Sequence, residues 1–342
     1  MTLSNVVIRK ARLEDQDHIR AFTQNTFDWG DYVADALPEW LESGNDVYVA
    51  ELDGIPVGVT CVAYPAEGEA WFQGIRVKAE LRRLGIGTML TEASIEGARK
   101  RGARVCRANI DPDNFRSQGL ARSMGFMLAA RLAEFRLPLA GSVKDEGSGN
   151  GSSSEPNDGP VDDQSDQDIQ DIRVRTVTPE EAGRVFDEAS PPIRFLGGDY
   201  IWISSTRPNF IHAASIHRLL VANDAHGKVL AGGFMTEPYV EDHIHGSSEN
   251  ESDHIQEDGK SYLCAALGAL FGTMEGAAAL IRHAWDLLVS EAKEKNITPG
   301  ELFVAVETEN PLAEGLLEHS RQAGLGLQRH GETHLWELRL AE

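Results

Sequence analysis

Arg82 and Arg83 run directly into Gly85-Ile86-Gly87, and an apolar-periodic segment opens at Ile86. Residue types in this order suit an anion. Glycines let backbone approach a ligand closely, and the first turn of a helix points unbonded N–H groups outward. Two guanidinium groups add charge-assisted contacts. A phosphate is therefore the ligand this spacing implies, with Leu84 and Thr88 completing the run. A Walker loop needs Gly-Lys-Ser/Thr, whereas Gly87 is followed by Thr88-Met89; a dinucleotide fingerprint needs a third glycine where Leu90 stands. Both are excluded, and a plain strand-to-helix turn is the remaining alternative to a phosphate loop.

Such a turn must be held by a strand before it and a helix after it. AWFQGIRV, residues 70–77, alternates as a strand. The helix is expected from Ile86 to Arg101, with Ile86, Leu90, Ala93 and Gly97 or Ala98 on its inner face and Gly102 stopping it. Around this unit the order reads β–α–(α)–β–β–β–α–β–α–β, and the same order recurs after residue 171. IRVRTVTPEEAGRVFDEA repeats the opening strand and helix of VVIRKARLEDQDHIRAF, and SYLCAALGAL, ELFVAVETE and AGL answer AWFQGIRV, ARVCRANID and MGF. An internal duplication follows, with a mixed α/β sheet carrying helices on both faces in each half. The expected division is a domain over 1–140, a disordered acidic Gly/Ser linker over 141–171, and a second domain over 172–342 with an acidic insert at 241–258.

The net charge of −22 over 342 residues argues against nucleic acid as a partner. Much of it is local: residues 142–171 hold nine acids and one lysine, and residues 241–258 hold seven acids. No apolar run approaches the ~20 residues of a membrane span, and the first residues lack a signal-peptide core. Cys61, Cys106 and Cys264 each sit in a short apolar run, which reads as buried reduced thiols in a cytoplasmic protein. His243, His245 and His254 lie in a hydrophilic stretch and are read as a loop, so no metal is expected.

EAWFQGIRVKAELRRLGIGTML, followed by DPDNFRSQGLARSMGF, resembles the GNAT superfamily of acyl-CoA-dependent N-acyltransferases across about residues 6–138. The resemblance implies two GNAT-like α/β domains and makes the phosphate the pyrophosphate of acetyl-CoA. It implies that Ile75, Arg76 and Val77 pair with the acyl and pantetheine groups, that Arg82, Arg83, Leu84, Gly85, Ile86, Gly87 and Thr88 cradle the pyrophosphate, and that Asn114 meets the pantetheine arm. The second half departs from the pattern. ALGALFGTMEGAAALI has glycines without an Arg or Gln ahead of them, and Glu275 adds negative charge. It resembles a degenerate GNAT domain, as in tandem members with one working copy.

Aminolysis of a thioester needs a neutral amine, a stabilised acyl oxygen and a proton for the thiolate. The Ile75 N–H suits the acyl oxygen. Glu69 is either the base or a solvated strand-end glutamate, and Gln73 orients a water or the acceptor. Where many members carry a Tyr acid this chain has Ala121, so either Ser117, Ser123 or solvent serves instead or the acid is dispensable. Asp28, Trp29 and Asp31 hold a cationic amine by charge pairing and cation–π contact, or else cap and pack helices. The expected partner is a small-molecule or peptide amine, with no membrane or nucleic acid and with an oligomer left open. A non-enzymatic acyl-CoA sensor is the alternative function.

Overall fold

The computed structural model describes residues 5–27, 30–138, 172–197, 201–241 and 261–340. The expected linker and nearly all of the acidic insert, with its three histidines, lie outside the described residues. In chain order the first half contains β1 (Val6–Lys10), α1 (Gln16–Thr23), α2 (Val33–Glu42), β2 (Asp46–Leu52), β3 (Ile55–Ala66), β4 (Glu69–Val77), α3 (Ile86–Lys100), β5 (Val105–Ile110), α4 (Phe115–Ser123) and β6 (Met127–Leu137). The second contains β7 (Arg173–Val177), α5 (Pro179–Ala189), β8 (Phe195–Leu196), β9 (Ile203–Ser204), α6 (Arg207–Ile216), β10 (Arg218–Asn223), β11 (Val229–Met235), β12 (Tyr239–Glu241), β13 (Tyr262–Gly272), α7 (Met274–Lys295), β14 (Thr298–Glu307), α8 (Pro311–Gln322) and β15 (Gln328–Arg339). The expected α/β class and the repeated element order are both present.

The chain forms two compact units, and they do not divide at residue 140. One contains residues 1–131, 201–203 and 332–342; the other contains 132–200 and 204–331. The physical reason is an exchange of strands. β15 pairs antiparallel with β5, from His334↔Ile110 to Arg339↔Val105, so the C-terminal strand belongs to the first unit's sheet. The later part of β6 pairs with β14, from Leu137↔Leu302 to Leu132↔Glu307, so it belongs to the second. Sequence order alone places each strand with its own half.

In the first unit β1, β2, β3 and β4 form an antiparallel run. Period-two alternation along β2 sends Val47 and Val49 into a core with Ile19, Val33, Leu37 and Trp40 of α1 and α2. Ala50 goes to the opposite face, against Ile86 and Leu90 of α3. Ile86 and Leu90 are fully buried, and each contributes about 1.5–3 kcal/mol of apolar transfer. Those two residues anchor the helix whose N-terminus is the expected anion site. Gly102, at φ +80°, stops it as expected. Ala93, expected inside, is half-buried, and Thr91, Ser94 and Ile95 share the covered face.

The second unit orders β6, β14, β13, β11, β10 and β7, with α7 packed on β10, β11, β13 and β14. No helix among the described residues is long and apolar enough to cross a membrane.

Candidate functional site

β4 pairs with β3 along most of its length but with β5 only at Glu69↔Val105, Ala70↔Cys106 and Trp71↔Arg107. Beyond Trp71 the two parallel strands diverge, while β5 continues its pairing with β15 as far as Ile110. The C-terminal part of β4 therefore presents a backbone edge to a cleft. Within that part Val59↔Arg76 and Cys61↔Gln73 leave Gly74 and Ile75 together opposite Thr60, a β-bulge. Gly74 has φ +64°, and a Cβ there would lie 2.5 Å from the Trp40 ring. Both facts require glycine. The Lys78 N–H donates to the Val57 carbonyl at 2.9 Å, which fixes the phase of the ladder. Arg76 faces β3 through its backbone, and the Ile75 and Val77 peptide groups turn toward the cleft.

Arg82 follows a 3-10 turn, Ala79–Leu81, and its Nε donates to the Val77 carbonyl at 3.1 Å. Arg83 is left-handed at φ +66°, and Gly85, at φ +87°, is the N-cap of α3. The first helical bond is Met89 N–H to the Gly85 carbonyl, 3.0 Å, so the N–H groups of Ile86, Gly87 and Thr88 have no partner within the helix. Residues 82–85 are exposed. A Cβ on Gly87 would stand 3.5 Å from Leu120 of α4, and a Cβ on Gly119 would meet nothing within 4 Å. Open amides, two arginines and a roomy floor come together here, and they fit a pyrophosphate. Asn114 caps α4, its Oδ1 accepting from the Ser117 N–H at 3.1 Å, and its side chain is exposed. Ser117 is half-buried and Ala121 is buried.

Other expected residues lie elsewhere. Glu69 is at the far end of β4, six residues or about 20 Å from Ile75 at strand rise. It is buried and paired with the Arg107 guanidinium, which also holds Glu337 at 2.8 Å. Neither the base nor the solvated glutamate describes it, because Arg107 engages its carboxylate and the core covers it. Asp31 is likewise not open to a cationic amine. Its Oδ2 is 2.5 Å from Arg76 Nε, its Oδ1 accepts from the Val33 N–H at 3.0 Å, and its side chain is fully covered. Gln73 is half-buried and its amide reaches Cys61 Sγ at 3.7 Å. Asp28 and Trp29 lie outside the described residues. Burial pushes the thiols of Cys61, Cys106 and Cys264 up to about 12, so none is a nucleophile at neutral pH. Among the described residues no group of three or more His, Cys, Asp or Glu could hold a metal ion.

Sequence reading did not reveal the side-chain role of Arg76. Its guanidinium lies 5.3 Å from the Phe27 ring centre and 5.7 Å from that of Tyr32. Its carboxylate partner stands 45 residues away, beyond the reach of any local pattern.

The second unit repeats the bulge. Gly232↔Phe271 and Phe234↔Gly268 place Ala269, at φ +53°, in the role of Gly74. The cleft itself is closed. β13 and β14 stay paired from Tyr262↔Thr298 to Gly268↔Ala305. Thr273 alone separates Gly272 from α7, where eight residues, 78–85, separate β4 from α3. Thr273 caps α7 with its own hydroxyl, accepting from the Gly276 N–H at 3.2 Å. Asn310, the counterpart of Asn114, donates to the Leu270 carbonyl at 2.9 Å. Met274 Cε lies 2.5 Å from where a Gly315 Cβ would be, filling the space that is open at Gly119.

Residues 15–126 match the model of the acetyltransferase (GNAT) family. No curated protein matches the chain. Among solved structures, a GCN5-related N-acetyltransferase from Sphaerobacter thermophilus is 14% identical, with 98% of this chain and 96% of that one covered and a TM-score of 0.57. A tandem GNAT protein from the clavulanic acid biosynthesis pathway is 14% identical over 98% of this chain and 99% of that one, TM-score 0.52. A glucosamine N-acetyltransferase region of a fungal multi-domain β-N-acetylglucosaminidase is 17% identical, TM-score 0.58, with 97% of this chain and 38% of that one covered. The open bulge, the glycine turn and the family match coincide on the same stretch, so residues 15–126 carry a GNAT acetyltransferase domain, within a chain that has the fold of GNAT proteins, a tandem one among them.

Proposed function

We propose that the first unit transfers an acetyl group from acetyl-CoA to an amine. The observation that carries this reading is the divergence of β4 from β5, which leaves the Ile75 amide facing the cleft on the strand that leads, through residues 78–85, to the open α3 N-terminus. Ile86, Gly87 and Thr88 N–H groups with Arg82 and Arg83 would hold the pyrophosphate, and Asn114 would meet the pantetheine arm. Acetyl-CoA supplies the activated thioester. The Ile75 N–H donates to the acyl oxygen as negative charge grows there, and it is fixed in place by the bulge before the reaction begins. An amine of pKa ~10 arrives mostly protonated at pH 7. With Glu69 engaged by Arg107, solvent in the cleft takes that proton. Ser117, one helical turn before the buried Ala121, or solvent returns a proton to the thiolate.

The three buried, unpaired thiols fit a reducing compartment, and we place the protein in the cytoplasm. A second reading, an acyl-CoA sensor without turnover, is favoured by Ala121 and by the engagement of Glu69. Incubating the full chain with acetyl-CoA and a panel of amines separates the two. Amine-dependent release of free thiol is the expected result. Tight coenzyme A binding with no thiol release from any amine would leave the sensor.

A further inference from the structure

We infer that the acceptor carries a carboxylate close to its reacting amine, and that Arg76 and Tyr32 bind it; the inference rests on the acetyl-transfer reading. Arg76 belongs to the strand residue adjoining Ile75, and its guanidinium curls back so that Nη1 donates to the Ile75 carbonyl at 3.1 Å. That carbonyl faces the cleft, so the cation stands at the cleft edge beside the amide assigned to the acyl oxygen.

Its orientation is fixed on two sides. Asp31 takes Nε at 2.5 Å, and Ile75 takes Nη1. The Tyr32 phenol is itself in hydrogen-bond contact with the guanidinium, and burial raises its pKa while the Arg76 charge draws it down. Two donors side by side suit a carboxylate, which accepts two parallel hydrogen bonds.

The surroundings agree in sign and shape. Phe27 and Tyr32, 44% and 43% exposed, both flank the guanidinium. On this face of β4 the residues packed around Arg76 and Gly74 are Phe27, Asp31, Tyr32 and Trp40, with Gln73 and Cys61 beyond. Among the described residues of this group Asp31 is the one acid, and its side chain is covered and bound to Arg76. Among the described residues, a bare cationic amine finds no open carboxylate in this group. A molecule with an amine and a carboxylate a few bonds apart can place the amine at the acyl carbon while Arg76 takes the other end.

The test uses the full-length protein, acetyl-CoA and matched acceptors: a series of free amino acids, their methyl esters and the corresponding carboxyl-free amines. Thiol release should favour at least one free acid over its ester and its carboxyl-free amine by about tenfold or more in kcat/KM. Arg76→Lys keeps a cation for Asp31 but loses the planar fork. It should raise KM for the free acid about tenfold and remove the preference for that acid over its ester. Should Arg76→Lys fail to fold, Tyr32→Phe removes only a hydroxyl from a part-exposed ring and should raise the same KM several-fold. Equal or better turnover of the esters and carboxyl-free amines would overturn the inference while leaving acetyl transfer intact. No thiol release from any acceptor would overturn both.

Discussion

The Arg82 side chain, exposed and donating to the Val77 carbonyl, has no acidic partner among the described residues. Its charge is therefore available to a ligand, and Arg82→Glu should weaken coenzyme A binding by ~1.5–3 kcal/mol. Isothermal titration checks this, and unchanged affinity in a folded variant would remove the loop from the site. This residue was legible in the sequence because its meaning is local: Arg82, Gly85 and Gly87 lie within one turn of each other. Glu69 was not, because its role depends on Arg107, 38 residues on, and through it on Glu337, 230 residues beyond Arg107. Glu301 is a second residue whose behaviour follows from distant partners. Burial lifts its carboxyl from 4.5 to about 7, outweighing Arg136 at 3.6 Å, and Oε2 has no hydrogen-bond partner. The folded state thus holds this proton more tightly than the unfolded chain does. Its contribution to stability is full below about pH 4.5 and is lost as pH rises through about 7. The loss is on the order of 3 kcal/mol. Relative to Glu301→Gln, the wild-type melting temperature should fall between pH 5 and 8. Parallel curves for the two proteins would show that Glu301 does not titrate in that window.

At the scale of elements, the strands and helices of the first unit follow their hydrophobic periods closely, and α3 was readable from its inner face to its stop at Gly102. The bulge was not. QGIRV reads as a strand with an interior glycine, and only pairing with β3 shows that Gly74 and Ile75 share one partner. Gly74→Ala should therefore be costly on two counts: a left-handed backbone costs an L-residue roughly 1–2 kcal/mol, and its Cβ would meet Trp40 at 2.5 Å. The melting temperature should drop by several degrees, and thiol release should fall further than stability alone explains, since the Ile75 amide would turn. Gly119→Ala is the control. It lies inside α4, where a Cβ meets nothing within 4 Å, so helix propensity should leave stability equal or higher. A Gly74→Ala protein as stable and active as wild type would mean that the bulge does not position the amide.

At the scale of the whole chain, the duplication was visible because both halves repeat their elements in order, but the exchange of β6 and β15 was not. Nothing in the sequence of either strand names its partner strand. The same duplication lets the two clefts be compared residue by residue. Both units keep the bulge, at Gly74 with Ile75 and at Ala269 with Leu270. Only the first keeps the space around it. In the second, β14 stays paired to β13, Asn310 takes the Leu270 carbonyl, Met274 fills the gap beside Gly315, and Thr273 caps α7 in place of a ligand. Leu270 and Phe271 are buried there, and Glu275 stands in the first turn of α7, where its charge would repel a phosphate. A second molecule of coenzyme A would have to unzip a parallel strand pair and displace a cap, each costing free energy that no added charge contact offsets. Equilibrium dialysis should therefore give one coenzyme A per chain, and Arg82→Glu should abolish that single class of sites at ligand concentrations near its wild-type Kd. A stoichiometry near two, or residual binding of wild-type strength in Arg82→Glu, would mean that the second cleft opens in solution and binds on its own.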